Sequence, residues 1–556
     1  MKISIAAVCV LALLLGCQGN RDDRPPSPDK PAVATPPPVG PPVDLAILYS
    51  SEKKTWLGEQ VAAFHGTLKD GREIRVTAKP TGSGEGEVAI LDGTEKPAVF
   101  SPASTAYLTL LDQAWQSRDN HTRPLASTRE PLVLSPIVIA MWKPMAESLG
   151  WPDKPIGWAD ILKVSRDPKG WATYGRPEWG TMKLGHTRPE DSNSGLLSVL
   201  AIAYAGAGTT RGLTAAELPK IEPFLGSVED AIVHYGTSTG FFADKMLEHG
   251  PSYLSAAVLY ENLVIESYAK APPLPLVAIY PVEGTFWSDH PFAVLDAPWV
   301  TADQREAAAV FLAFLKGRPA QERAMALGFR PVDPTIKIGA PIDLAHGVDP
   351  KQPQTLLEVP DAPTLHALLE TWKKTKKAAD VVFVFDKSGS MAGKALVEAK
   401  RGAKAFLETL DARDEVTLIF FDGAVYPPFG PVEVGKAKAE LASRIDGISA
   451  SGETALYDAT DLAYQLLVKR RAASAHRIRA AVVMTDGVDN KSHVKLAALV
   501  REIGGEDRAA TTFTIGYGDQ ANPDVLGKIA SAGAGSFSKG DVASIITVYR
   551  DLAAFF

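Results

Sequence analysis

The run Val381 to Phe385, VVFVF, constrains this chain more than any other stretch. Its residues are all apolar and β-branched or aromatic, so no polar face is left for solvent. The run therefore reads as a central parallel strand covered on both sides. It leads directly into DKSGSM, Asp386 to Met391. In open α/β sheets, ligands gather outside the carboxyl ends of the strands. There the side chains of Asp386, Ser388 and Ser390 fall at alternating positions, and Gly389 lets the turn tighten. One carboxylate and two hydroxyls make a hard-oxygen set, suited to Mg²⁺ or Mn²⁺ and poorly suited to zinc.

D-x-S-x-S alone is ordinary turn composition, but two later segments add to it. Thr454, in SGETALYDA, stands just before the periodic run Leu456, Ala459, Leu462, Ala463, Leu466, at the start of a helix. Ala480 to Met484 is a second buried strand, ending in Thr485, Asp486 and the turn residue Gly487. Three loops thus each offer oxygen donors. Together these pieces resemble the metal-ion-dependent adhesion site of the von Willebrand factor A (VWA) domain, and Thr511 to Gly540 resembles the last strands of that fold. The resemblance covers residues 379–556 and implies a doubly wound, Rossmann-like domain. It also implies a divalent ion, Mg²⁺ (or Mn²⁺/Ca²⁺), held by Asp386, Ser388, Ser390, Thr454 and Asp486, the last through water. An acidic side chain of a protein partner would complete the shell.

The amino terminus reads as a targeting segment. Lys2 is followed by the apolar stretch Ile3 to Leu15, too short for a comfortable membrane span. It ends in LLGC, which resembles a bacterial lipobox in which Cys17 is acylated after removal of residues 1–16. Cys9 and Cys17 are the only two cysteines, so the mature chain has no thiol pair for a disulfide. Residues 17–43 are a proline-rich linker, which favours extended polyproline conformations. The expected location is the cell envelope, lipid-anchored and facing the periplasm or the cell exterior.

From residue 44 to 345 short apolar strands alternate with amphipathic helices. Thr301 to Gln304 reads as a capping box opening a helix to about Lys316, and Gly328 reads as the C-cap of the next helix. LYSSEKKTWLGEQVAAFHG, TGSGEGEVAIL, GHTRPEDSNSGLLSVL, LYENLVIESY and VAIYPVEGTFWSDHPFAVL occur in this order. In that order they resemble an extracellular solute-binding protein of bacterial uptake systems. The resemblance implies a two-lobed periplasmic-binding-protein-like (type 2) fold with a ligand cleft between lobes. The crossover strands are expected at Leu132–Trp142 and Leu274–Gly284. Ser50, Ser51, Ser101, Ser192 and Ser194 stand at helix starts, where free amides favour an anionic or hydroxyl-bearing ligand, although capping is the commonest role of such serines. Arg188 and Tyr260 are further candidates.

Residues 346–378 are expected to be a linker with one helix, Pro363 to Lys377. Its lysines Lys373, Lys374, Lys376 and Lys377 should complement the helix dipole and stay in water. A contact with an anionic membrane is the other use of such a cluster.

Catalytic signatures do not hold up. GTSTG, Gly236 to Gly240, spells a nucleophile elbow, but VEDAIVHY before it reads as a helix rather than the strand that motif needs, making GTSTG a helix-to-helix turn. The ten histidines are scattered without H-E-x-x-H, and TGSGEG lacks the Lys-Ser/Thr of a phosphate loop. A net charge of −7 argues against nucleic acid as the main partner. The sequence therefore reads as a non-enzymatic, α/β, exported binding protein. It would take a protein partner through the metal site and a small ligand in the cleft. The alternative is the substrate-binding component of an ABC-type uptake system, with the VWA domain as docking module.

Overall fold

The computed structural model describes residues 40–552, apart from 119–121, 273, 475, 506–507, 519, 541–544, 546–547 and 550–551. Cys17, the leader and all but the end of the proline-rich segment lie outside the described residues. Three sheets organise the rest.

The first lobe is built on a five-stranded sheet. Its strands, in spatial order, are Ile74–Thr81, Val43–Ser50, Val99–Ser101, Pro291–Leu295 and Ala126–Pro131. Val43–Ser50 is parallel to both of its neighbours. In the second lobe Val133–Trp142 is the organising strand, pairing antiparallel with Ala256–Tyr260, Leu276–Ile279, Trp287–Ser288 and Arg330–Pro331. Leu184–Thr187 and Ile232–Gly236 extend this sheet in parallel.

The chain enters the second lobe at Leu132, within the expected crossover span. It returns between Ser288 and Pro291, not at Leu274–Gly284 as expected. Leu276–Ile279 stays inside the second lobe against Ile139–Trp142. An apolar strand looks the same in sequence whether it crosses or turns back, because only its pairing partner distinguishes the two.

Helix boundaries follow the local chemistry. Thr301 and Gln304 form the reciprocal capping box, and the helix runs Ala302–Leu315. Gly328, at φ 88°, ends Arg318–Ala326, and the Phe329 amide folds back onto the Ala324 carbonyl at 3.0 Å.

The third sheet has six strands in the order Phe429–Glu433, Glu415–Phe421, Ala378–Asp386, Arg477–Thr485, Thr511–Tyr517 and Ala534–Gly540. All of its pairings are parallel except the one made by Phe429–Glu433. The central strand shows why VVFVF has no polar face. Val381, Phe383 and Phe385 enter a core with Leu396, Ala399, Ala403 and Phe406. Val382 and Val384 enter the opposite core with Leu456, Ala459 and Ala463. Each such side chain contributes roughly 1.5–3 kcal/mol by burial, so a polar residue at any of them would cost the sheet on one face or the other.

The helix Ala362–Thr375 opens on Asp361, whose carboxylate caps the Thr364 amide at 3.0 Å. It packs against the second-lobe helix Leu218–Glu229 and then turns at once into Ala378–Asp386. Its lysines do not all stay in water. Lys374 is exposed, but Lys373 bridges Glu190 at 2.9 Å, Lys376 is buried, and Lys377 donates to the Ile232 carbonyl at 3.1 Å. Burial pulls the Lys377 ammonium down to about 8. The short passage from helix to strand traps Lys376 and Lys377 where the second lobe meets the third sheet. Among the described residues no helix is long and apolar enough to cross a membrane.

Candidate metal and ligand sites

Asp386 ends the central strand, and Thr485 ends the next strand in parallel register. That pairing brings the carboxylate of Asp386 to the Thr485 hydroxyl, which donates to Oδ2, while the Ser388 amide donates to Oδ1 at 2.7 Å. Ser388 Oγ lies 3.1 Å from Ser390 Oγ, and Ser390 donates to Asp486 Oδ1 at 2.7 Å. The Gly389 amide donates to the Gly452 carbonyl at 3.0 Å, drawing in the loop that carries Thr454. A β-carbon on Gly487 would lie 3.1 Å from Thr454 Oγ1 and 3.6 Å from Ser390 Oγ, which places that hydroxyl in the same cluster. All five sequence-selected residues therefore converge.

Burial dominates the electrostatics of this cluster. It pushes Asp386 up to about 6, against hydrogen bonds from Thr485 and Ser388 that lower it, and Asp486 adds to the rise. Burial likewise raises Asp486, partly offset by Ser390. The named donors to both carboxylates are hydroxyls and an amide. The nearby Lys387 turns away to Asp422 and Ser451, with its Nζ 4.4 Å from the centre of the Tyr426 ring. Among the described residues no three of His, Cys, Asp and Glu converge as a metal cluster. The donor set is two carboxylates and three hydroxyls, which fits a hard divalent cation rather than zinc.

Sequence reasoning missed Asn490. Its Oδ1 accepts the Thr454 amide at 2.8 Å, and its own amide donates to the Thr454 carbonyl at 3.0 Å. It positions Thr454 from the loop that begins at Asp486, and TDGVDN, Thr485 to Asn490, was the only signal available.

The cleft residues form a polar seam between the lobes. Lys53, missed in sequence, joins Ser50 and Ser101: its Nζ donates to Ser50 Oγ and to the carbonyls of Ser101 and Pro102 at 3.1 and 3.2 Å. Glu52 accepts from Ser50 and pairs with His290 Nδ1 at 3.0 Å. The His290 ring stands edge-on to Tyr260, centroids 5.4 Å apart, and the Tyr260 hydroxyl accepts from Asn193 at 3.0 Å. Ser192 and Ser194 meet through Thr239, at 3.1 and 2.7 Å. Ser51 stands beside Gly240, whose added β-carbon would lie 3.4 Å from Ser51 Oγ. Arg188 pairs with Glu190 and Asp191.

Three successive residues of the return crossover bind three helix starts. Ser288 accepts from Asn193, Asp289 accepts the Thr105 amide at 2.9 Å, and His290 engages Glu52. With its three N–H donors directed at these oxygens, the Lys53 ammonium is a structural pin.

GTSTG differs from expectation. The preceding helix stops at Glu229, and Ile232–Gly236 is a strand, so the motif joins strand to helix. The charges of Glu229 and Asp230 end the helix instead of lying inside it. Ser238 keeps ordinary extended N-cap geometry (φ −141°, ψ 149°), not a strained elbow, and neighbouring Thr239 belongs to the seam.

A two-lobed module crossed by the chain, followed by a parallel sheet with oxygen donors at its strand ends, defines a modular α/β binding protein. The profile of the bacterial extracellular solute-binding proteins matches residues 45–330, over half of the chain, and the chain belongs to that family. The von Willebrand factor type A domain profile matches residues 380–550. Both are typically non-catalytic binding modules. An uncharacterized protein of Synechocystis sp. is 30% identical over 163 residues, 29% of this chain and 37% of that protein. The inter-alpha-trypsin inhibitor heavy chain H4 of Sus scrofa is 28% identical over 167 residues, 29% of this chain and 18% of that protein. The chain thus spans well under half the length of these curated relatives. The sulfate-binding protein SubI of Mycobacterium tuberculosis is similar in fold at 18% identity and a TM-score of 0.37, covering 52% of this chain and 88% of that one.

Proposed function

We propose that this is an exported, lipid-anchored binding protein whose VWA domain recognises a protein partner through a divalent cation. The observation that carries the reading is the convergence of Asp386, Ser388, Ser390, Thr454 and Asp486 at adjoining strand ends. A bound Mg²⁺, Mn²⁺ or Ca²⁺ would supply a Lewis-acid position for a partner's carboxylate. Asp386 and Asp486 hold the negative charge for it, the three hydroxyls offer neutral oxygens, and Ser390 is the exposed member through which the partner approaches. Cys17 carries the anchor. Ser50, Ser51, Ser101, Ser192, Ser194 and Tyr260 are the groups that would meet a small anionic or hydroxyl-bearing ligand once the lobes part.

The test is differential: thermal unfolding of the full chain with millimolar Mg²⁺ or with chelator, alongside recovery of bound proteins under both conditions. The reading expects a metal-dependent rise in melting temperature and release of the partner by chelator. An unchanged melting temperature, with the partner retained in chelator, rejects it. Membership of the solute-binding family over residues 45–330 favours a second reading. In it the chain is the substrate-binding component of an ABC-type uptake system and the VWA domain docks it.

A further inference from the structure

The two lobes are fastened to each other by a direct backbone contact. The helix Ser83–Leu91 of the first lobe points its amino terminus at the loop 188–192 of the second lobe. The amides of Gly84 and Glu85, free donors in the first turn of a helix, both donate to the Asp191 carbonyl, at 3.0 and 3.3 Å. A helix start of this kind ordinarily takes an anion. Here a peptide oxygen of the same chain takes that role. Close by, the Tyr107 hydroxyl donates to the Pro189 carbonyl at 2.6 Å, and Ser104 Oγ donates to Asn193 at 2.6 Å.

The glycines of TGSGEG admit this approach. A β-carbon on Gly84 would stand 1.8 Å from the Glu190 carbonyl oxygen, and one on Gly82 would stand 2.5 Å from the Asp191 oxygen. Any larger residue at Gly84 forces backbone from backbone. The same loop also reaches the third sheet. Glu190 is paired to Lys373 at 2.9 Å, and the carbonyls of Lys373 and Lys374 accept from Arg413 of the VWA domain at 2.5 and 2.7 Å.

We propose that the loop 188–192 is an internal latch that holds the lobes shut in place of a ligand, and that its release loosens the seat of the VWA domain. The latch loop has one set of contacts on each side: Gly84, Glu85 and Tyr107 toward the first lobe, and Lys373 toward the helix that leads into the central strand. Withdrawing the first set removes the restraint that holds Glu190 against Lys373. This inference stands apart from the metal reading, because none of its contacts involves the carboxylates at the strand ends.

Hydrogen exchange of the full chain tests it, comparing wild type with Gly84→Ala. The expected result is slow exchange of the Gly84–Glu87 amides in wild type and at least tenfold faster exchange in the variant. Faster exchange over Trp372–Lys376 should accompany it. Tyr107→Phe removes one latch bond without adding an atom and serves as a second variant should the first not fold; it should shift both segments in the same direction. Fast exchange at Gly84 and Glu85 in wild type, or no change in either variant, overturns the latch. Loosening confined to the seam overturns its link to the VWA domain.

Discussion

The indole of Trp372 meets the ring of Tyr235 edge-on, with centroids 5.8 Å apart and planes at 88°. Trp372 is fully buried and belongs to the helix Ala362–Thr375, while Tyr235 lies on the second-lobe strand Ile232–Gly236. This contact makes the helix part of the second lobe's packing, where sequence reading takes it for a linker. Trp372→Ala should cost about 3–5 kcal/mol, as for other fully buried aromatic residues. The check is chemical unfolding of the full chain. The loss should appear in the transition of the second lobe, with the central VWA strand affected through Lys376 and Lys377.

Asn490 should act on the metal site without touching the cation. Thr454→Ala removes a donor and should abolish the Mg²⁺-dependent rise in melting temperature, with far-ultraviolet circular dichroism unchanged. Asn490→Ala leaves the donor but frees the Thr454 backbone, and should raise the Mg²⁺ concentration needed for half the shift about tenfold. Asn490→Asp retains an acceptor for the Thr454 amide and should restore most of the affinity. Equal Mg²⁺ midpoints for wild type and Asn490→Ala would remove the positioning role.

Acid should destabilise the second lobe through His234. Its ring is buried, stacked on Tyr253 at 4.4 Å, and pushed down to about 3 by burial first, then by Lys183, His249, Arg508 and Lys377. Above the ordinary histidine range both folded and unfolded forms are neutral, and the residue contributes no pH dependence. As pH falls below about 6.5 the unfolded chain takes a proton that the folded chain refuses. Stability is therefore lost progressively toward pH 3, by roughly 2 kcal/mol at pH 5 relative to pH 7. His186 works in the opposite sense, because Glu229 overrides its burial and raises it. The comparison that isolates the effect is wild type against His234→Gln: the variant should lose less stability between pH 7 and pH 5, and parallel profiles would contradict the assignment.

The proposed lipid anchor has its own test. Mature protein should begin at Cys17, carry lipid by mass spectrometry and partition into detergent. Cys17→Ala should remain uncleaved or become soluble. Recovery of unmodified protein beginning beyond Arg21 would rule the anchor out.

Sequence determined the parts whose signals are local. Val381 to Phe385 can be covered on both faces only inside a sheet, and the strand end that follows presents Asp386, Ser388 and Ser390 together because they are neighbours in the chain. The capping box at Thr301 and the stop at Gly328 were legible for the same reason: a helix end is satisfied within a few residues of itself. What only the tertiary structure decided depends on partners remote in sequence. Asn490 supports Thr454 across a 36-residue separation, and nothing in either segment announces the pairing. Lys376 and Lys377 read as solvated charges until the next strand brings the VWA domain against the second lobe. Gly82 and Gly84 read as a loose glycine-rich turn, yet their missing side chains are what lets one lobe's helix start reach the other lobe's backbone. A side chain's type limits which contacts it can make. Which contact it does make is set by the backbone that the whole fold brings alongside it.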